Sequence, residues 1–582
     1  MTSFANRLAE EIWASRYRYV APDGAAEASI DETWDRVARA LAAAEPRDRL
    51  RWERRFREAL ADFRFLPGGR ILAGAGTGRR VTLFNCFVMG RIEDSLDGIF
   101  NALHEGALTL QQGGGVGYDF STLRPAGFAA DAAGTIASGP VSFLHVWDAM
   151  CATVQSTGAR RGAMMGTLAC DHPDIERFVA AKRRPGTLTR FNLSVLVSDA
   201  FLRAVAADAD WPLAFADAGS GGVARTLRAR VLWDAIVRSA YECAEPGVIF
   251  IDRVRAQDNL GYAETIAATN PCGEIPLPPY GACDLGSLNL TRFVEAPFSG
   301  RARLDLDAVE ATARIATRML DNVYDVSGFP LPEQARTARA SRRIGLGVTG
   351  LADALVMLGL RYDSDAARQL AADTMRTIKE GAYATSAALA REKGAFPLYD
   401  RDRYLDAPFV RALPDALRDA IRRDGIRNSH LTAIAPAGTI SLLAGNVSSG
   451  LEPVFAPEYE RTVRQADGTP VRARVQSCAL AAFRRHSGSE TAVPPAFATV
   501  DEITPEGQLA MQAALQAHVD NAISKTVSVA ATTRFEDYAA IYARAHALGL
   551  KGCTVFRPNA VTGAVLTAPA SIARCCDVAA HA

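Results

Sequence analysis

Between residues 270 and 290 the chain reads NPCGEIPLPPYGACDLGSLNL. Asn270, Cys272 and Glu274 set an amide, a thiol and a carboxylate at alternate positions, and a second thiol follows at Cys283. In an extended segment alternate side chains point the same way, so all three groups can meet one ligand. Pro271 and Pro276 stiffen this backbone and Gly273 permits close approach. A carboxylate beside a thiol suits hydroxyl deprotonation coupled to thiol chemistry. A proline-rich surface loop with incidental cysteines fits the same spacing, and spacing alone leaves both readings open. APAGTIS (435–441) follows an apolar run with small and hydroxyl residues, which can offer N–H groups to an anion at a helix start or form an ordinary turn. Cys86, in FNCFVMG, reads by itself as a buried strand cysteine.

These residues need a scaffold, and the pattern predicts an α/β one. The first 65 or so residues read as helical: Phe4, Leu8 and Ile12, then Trp34, Val37, Ala38 and Leu41, repeat at helical spacing. The turn LPGG closes this region at 66–69. From about 70 to 560, the buried runs VTLFNCFVMG (81–90), TRFNLSVLV (189–197), GVIFI (247–251) and HLTAIAP (430–436) alternate with helical stretches at 141–156, 228–244, 307–324 and 366–392. That alternation predicts a mainly parallel sheet. The division is an N-terminal helical region (1–65), one large barrel (66–560) and a flexible tail (561–582) carrying the adjacent thiols Cys575 and Cys576. GLGVTG satisfies G-x-G-x-x-G at Gly345, Gly347 and Gly350, but ARASRR precedes it and not a buried strand. Helix packing, not dinucleotide binding, is the expected use of these glycines.

Composition narrows the class. The 582 residues carry 65 basic and 65 acidic side chains, 49% hydrophobic residues and ten cysteines. The neutral balance argues against a nucleic-acid surface or a polybasic membrane contact. The cysteines are too few for a disulfide scaffold. The N-terminus has no signal-peptide pattern, and no run approaches the ~18–20 apolar residues of a membrane span. A cytoplasmic protein with reduced thiols is expected. The eight histidines are scattered without ligand spacing, so no metal held by side chains is expected.

The 270–290 segment resembles the active-site loop of ribonucleotide reductases, and its step from Cys272 to Cys283 followed by DLGSLNL resembles the adenosylcobalamin-dependent class II form. The resemblance continues, in family order, through FNCFVMGRIEDSLDGI (84–99), QQGGGVGYDFSTLRPAG (111–127), STGARRGAMMG (156–166), CDHPDIERFVAAKR (170–183), RRIGLGVTGLADAL (342–355), APAGTISLLAGNVSSGLEPVF (435–455), VDNAISKTV (519–527) and KGCTVFRPNA (551–560). It implies a ten-stranded α/β barrel of two five-stranded parallel halves, with the 270–283 loop inside. It implies Cys272 as the thiyl radical, Glu274 as the acceptor of the 3′-hydroxyl proton, Asn270 as the holder of the ribose hydroxyls, and Cys86 with Cys283 as the redox pair. Substrate would lie against Asn85, Gly114 and Gly115, with its phosphates on Ala437, Gly438, Thr439, Ile440 and Ser441; the family's usual residue at 437 is threonine. Asp94, Ser95, Arg160 and Arg161 match the deoxynucleotide effector site and its loop.

The family has three radical sources. The tyrosine pair of the oxygen-dependent class is missing from KGCTVFRP, and the glycyl-radical segment of the anaerobic class is absent, which leaves adenosylcobalamin. The implied partners are a ribonucleotide, preferably a diphosphate, a deoxynucleotide effector and a thioredoxin- or glutaredoxin-like reductant, with a homodimer as the assembly to test. The resemblance implies Cys575 and Cys576 as the redox shuttle of the tail, although family tails space this pair. The N-terminal region is too short for an ATP cone in addition to its helices. Two rival readings are the large subunit of a metal-radical reductase and a non-catalytic deoxynucleotide-binding relative. Cys151, Cys170, Cys243, Cys478 and Cys553 are assigned to packing.

Overall fold

The computed structural model describes residues 3–128, 136–154, 162–215, 222–464, 470–488 and 492–559, together with 561, 566–567 and 573–574. The helices Arg7–Arg16, Ile30–Ala42 and Arg49–Leu60 open the chain. The Asn6 side chain starts the first by accepting the Ala9 N–H at 2.9 Å, as an N-cap does. Trp34, Val37, Ala38 and Leu41 are fully buried, so the apolar stripe seen in the sequence is the packed face. A buried ion cluster seats this region on the long helix Leu306–Val326: Glu45 accepts from Arg318 at 2.8 and 2.6 Å and from Asn322 at 2.7 Å. Burial opposes the Glu45 charge, yet Arg318, Asn322 and Lys393 hold its pKa below the ordinary value.

The body is built on a ten-stranded sheet. Its strands in chain order are β1 (Phe65–Pro67), β2 (Cys86–Val88), β3 (Gly115–Asp119), β4 (Met164–Ala169), β5 (Phe191–Val197), β6 (Gly247–Phe250), β7 (Ala282–Asn289), β8 (Ile344–Thr349), β9 (Thr526–Ser528) and β10 (Gly552–Phe556). β2 to β6 pair in parallel, each with the next, and form one five-stranded half. β7 pairs in parallel with β8, and β9 with β10. Antiparallel contacts of β7 with β2 and of β10 with β6 join the two sides, and β1 lies antiparallel on β7. The helices expected between strands are present as Pro140–Thr153, Ala229–Cys243, Leu306–Val326 and Asp365–Lys393.

Two expectations need correction. The ladders do not close into a barrel with a second five-stranded half. HLTAIAP, expected as a buried strand, is buried over Leu431–Ile434 but contributes only single bridges, Leu346 with Thr432 and Ile434 with Ile523. The reason is local: the Leu431 and Thr432 amides both donate to the Asp520 carboxylate, at 2.8 Å each, and so are lost to a ladder. The second correction concerns GLGVTG. Gly345 and Gly347 lie within β8, whose six residues are all buried, and helix packing does not explain them. A Cβ at Gly347 would stand 2.1 Å from the Ala433 carbonyl oxygen, so this glycine admits the neighbouring segment. Gly350, at φ +73°, starts the next helix.

Strand faces decide where chemistry can sit. On β5, Phe191, Leu193, Val195 and Val197 join the main core, which leaves Asn192, Ser194 and Leu196 on the other face. On β2 and β7, Phe87, Ala282 and Leu288 join the main core. Cys86, Val88, Cys283 and Leu285 form a separate small apolar cluster with Ala268, Ile275, Leu277 and Ala433. Among the described residues no helix is long and apolar enough to cross a membrane.

Candidate active site

The 270–277 loop enters this small cluster between two short paired strands, Ala268–Thr269 and Pro276–Leu277. Asn270 closes the loop on itself: its Oδ1 accepts the Ile275 N–H at 3.0 Å, and its backbone N–H donates to the Ile275 carbonyl at 3.2 Å. Gly273 takes φ +82°, a left-handed turn that glycine adopts without strain. The loop tip thus brings the sequence-predicted groups together. Asn270 Nδ2 donates to Cys86 Sγ at 3.1 Å, and Cys86 Sγ lies 3.9 Å from Glu274 Oε1. Asn270 and Glu274 are buried and Cys272 is half-buried.

Cys86 and Cys283 are direct cross-strand partners in the antiparallel β2–β7 pair. Facing residues in such a pair have Cα atoms about 4.5–5.5 Å apart, inside the roughly 4.4–6.8 Å that a disulfide spans. Both are free thiols here. Burial, reinforced by the Asp284 charge, pushes the Cys283 pKa well above that of an ordinary thiol, so it stands as a protonated donor at neutral pH. The pair can therefore give up two electrons and its protons and close a disulfide without strand movement.

Contacts that the sequence did not announce hold the loop in place. The Asn192 side chain on β5 donates to the Pro271 carbonyl at 2.8 Å. Arg343 Nη1 donates to the Pro276 carbonyl at 2.6 Å, and the Ala522 N–H donates to the Glu274 carbonyl at 2.9 Å. Arg343 is itself fixed by Glu264 and lies 3.6 Å from Asp258. Burial pushes the Glu264 pKa up to about 7, with Arg343 pulling against it and Asp258 adding to it. The glycines of QQGGGVG divide in use. A Cβ at Gly115 would meet the Pro271 ring at 3.1 Å and one at Gly117 would stand 1.8 Å from the Thr269 carbonyl oxygen, so these two admit the loop. Gly114 faces the Phe87 ring instead. The Asn85 Oδ1 is buried with no hydrogen-bond partner among the described residues.

The 435–441 segment becomes a turn into the helix Gly438–Leu443, with Ala437 at φ +57°. Ser441 Oγ pairs with Thr349 Oγ1 at 2.8 Å. Away from the loop, Ser95 caps the helix Leu96–Gln111 by accepting the Gly98 N–H at 3.0 Å. The neighbouring Asp94 carboxylate is held by Arg124, through Nε at 2.7 Å and the backbone N–H at 3.0 Å. Arg160, Arg161, Cys575 and Cys576 lie outside the described residues. Cys151, Cys170, Cys243 and Cys553 are buried and Cys478 half-buried, none of them in a disulfide. Among the described residues no group of three or more His, Cys, Asp or Glu side chains is arranged to hold a metal ion.

Comparison with known proteins agrees with this geometry. The sequence model described as ribonucleotide reductase, barrel domain, matches residues 84–556, and that described as ribonucleotide reductase, all-alpha domain, matches 3–80. A Mycobacterium tuberculosis protein named vitamin B12-dependent ribonucleoside-diphosphate reductase is 40% identical over 578 residues, covering 95% of this chain and 80% of its own length. A Thermoplasma acidophilum protein of the same name is 34% identical, over 96% of this chain and 71% of its own length. A Streptomyces coelicolor protein named vitamin B12-dependent ribonucleotide reductase is 27% identical, over 93% of this chain and 64% of its own. With both parts of the family matched in order and an active-site loop carrying its amide, thiol and carboxylate, the chain belongs to the ribonucleotide reductase family.

Proposed function

We propose that the chain converts ribonucleotides, as diphosphates, to 2′-deoxyribonucleotides for DNA synthesis, with adenosylcobalamin as cofactor. The observation that carries this reading is the meeting of Asn270 and Glu274 at Cys86, with Cys283 directly across the strand pair and Cys272 at the loop tip. The names of the relatives support the diphosphate and cobalamin assignments over the rival readings of a metal-radical large subunit or a non-catalytic relative.

In this mechanism the Cys272 thiyl takes the 3′ hydrogen of the ribose, while Glu274 accepts the 3′-hydroxyl proton and Asn270 keeps the hydroxyls oriented. The 2′ hydroxyl leaves as water with a proton from the Cys86/Cys283 pair. The two sulfurs supply two electrons and become a disulfide, and Cys272 returns its hydrogen to C3′. One-electron and two-electron work thus fall to separate sulfurs. The cofactor, when bound, supplies the one-electron oxidation of Cys272. A seat for it is supported by the small residues beside the loop. Ser194 shares the Asn192 face of β5, and a Cβ at Gly247 would lie 3.1 Å from Ser194 Oγ and 3.0 Å from Thr554 Oγ1, so these three would border the cofactor.

The reading extends to the rest of the chain. The single bridges at Thr432 and Ile434 stand where a second parallel half would complete a ten-stranded barrel. The division into 1–65, 66–560 and 561–582 belongs to the same reading. The unpartnered Asn85 oxygen suits a substrate hydroxyl, and the turn at Ala437 to Ser441 suits its phosphates through backbone N–H groups. Exposed Leu96 and Phe100, on the helix that Ser95 caps, suit a homodimer contact beside the effector site. A thioredoxin- or glutaredoxin-like protein would restore the dithiol, with Cys575 and Cys576 as the shuttle, in the cytoplasm. The test is product formation from each nucleoside di- and triphosphate, with and without adenosylcobalamin. Deoxynucleotide from diphosphates only when adenosylcobalamin is present is expected; turnover without it, or none with it, rejects the reading.

A further inference from the structure

We infer that Asn192 is a positioning residue for the radical cysteine, an inference that rests on the proposed role of Cys272. Its place on β5 is the first observation. The flanking Phe191 and Leu193 are buried in the main core, and Asn192 is turned to the opposite face, where the 270–277 loop lies. Its amide donates to the Pro271 carbonyl at 2.8 Å, across 79 residues of sequence. That carbonyl belongs to the peptide joining Pro271 to Cys272. Holding its oxygen fixes the plane of that peptide and so the direction in which the Cys272 side chain leaves the backbone.

The other supports of the loop do not do this. The Asn270 side chain, the Ala522 amide and Arg343 hold Ile275, Glu274 and Pro276, all beyond Gly273. Gly273, at φ +82°, is a residue with no Cβ to restrict it, so restraints beyond it pass weakly back to Cys272. On the near side Gly115 packs against the Pro271 ring at 3.1 Å from a Cβ position but offers no polar contact there. Asn192 is thus the side chain that sets the Cys272 peptide. Hydrogen transfer between carbon and sulfur demands close alignment, and a displacement of about 1 Å can cost about 100-fold in rate.

The test is Asn192→Ala with Asn192→Gln, which keeps an amide donor on a longer stem. In the alanine variant kcat should fall about 10- to 100-fold with KM within about 2-fold. Iodoacetamide labelling of Cys272 in the cofactor-free protein, followed by peptide mass spectrometry, should change several-fold, while Cys86 and Cys283 keep their rates. Asn192→Gln should recover part of both readouts. Unchanged kcat in Asn192→Ala, or a fall in kcat with unchanged Cys272 labelling, overturns the inference. If the alanine variant does not fold, the same criteria apply to Asn192→Ser, which keeps a hydroxyl donor. Cys272→Ser run in parallel separates the two ideas: lost turnover there with normal Asn192→Ala sinks only the positioning role, while retained turnover in Cys272→Ser sinks the radical assignment itself.

Discussion

The loop at 270–277 and the turn at 435–441 are both short irregular segments set against the sheet, but they are fixed by different means. In the first, the fixing groups are side chains and amides from distant elements: Asn192, Arg343 and Ala522 each hold a loop carbonyl. In the second, the main chain does most of the holding: Ala437 takes the left-handed conformation and its carbonyl accepts the Ser441 N–H at 2.8 Å, with Thr349 on the Ser441 hydroxyl. The difference follows from the task. A loop that aims one sulfur needs every peptide fixed from outside, whereas a turn that offers N–H groups to an anion needs only its own backbone shape. The first should therefore be sensitive to side-chain changes far away, and the second tolerant of them.

The largest expected effect is on the chemistry of the first loop. Glu274→Gln should lower kcat by about 10²- to 10⁴-fold, the usual range for a lost general base, with little change in KM. Initial rates across substrate concentrations measure this, and a fall confined to KM would move Glu274 from proton transfer to binding. Next comes Arg343→Met, which breaks the Pro276 tether and leaves Glu264 and Asp258 buried without their cation. Denaturant unfolding should show about 3–5 kcal/mol lost, as for other buried pairs deprived of one partner. A loss below about 1 kcal/mol would make that tether ornamental.

A smaller, pH-dependent effect comes from Glu264. Its pKa is raised from 4.5 to about 7, so the folded protein holds a proton that the unfolded chain releases above its own pKa. The contribution is fully present below about pH 4.5 and is lost as pH rises towards about 7. Glu264→Gln should flatten that decline in a pH series of unfolding midpoints; an unchanged slope would assign it to other groups. The smallest effect belongs to the second loop. Ala437→Thr restores the family's hydroxyl and should lower KM by about 2- to 10-fold, the worth of one hydrogen bond, with kcat unchanged. A collapse of activity would show that this turn is as demanding as the other.

The sequence made some of this plain and hid the rest. Cys272, Glu274, Asn270, Cys86 and Cys283 were legible because their types and spacing are themselves the chemistry, and the structure brings Asn270, Glu274, Cys86 and Cys283 together. The helices were legible from periodicity, as Trp34 to Leu41 illustrate. Asn192 and Arg343 were not: each acts on a loop carbonyl 79 or 67 residues away, a pairing that no local pattern encodes. The one signal was a polar residue at an alternate position of an otherwise apolar strand, Asn192 within FNLSVLV. HLTAIAP misled for a related reason: its apolar run reads as a ladder strand, but Asp520 from a distant turn takes its amides. GLGVTG misled because its glycines serve a close approach by Ala433 and not a helix.

The central claim is that Cys86 and Cys283 are the electron source for a reaction begun at Cys272. Its most direct measurement uses the Cys575→Ser, Cys576→Ser double variant, reduced beforehand and freed of reductant, with ribonucleoside diphosphate and adenosylcobalamin. Deoxynucleotide should form to about one equivalent per chain and stop, and peptide mapping should find a Cys86–Cys283 disulfide in equal amount. Product formed while Cys86 and Cys283 remain thiols would contradict the account.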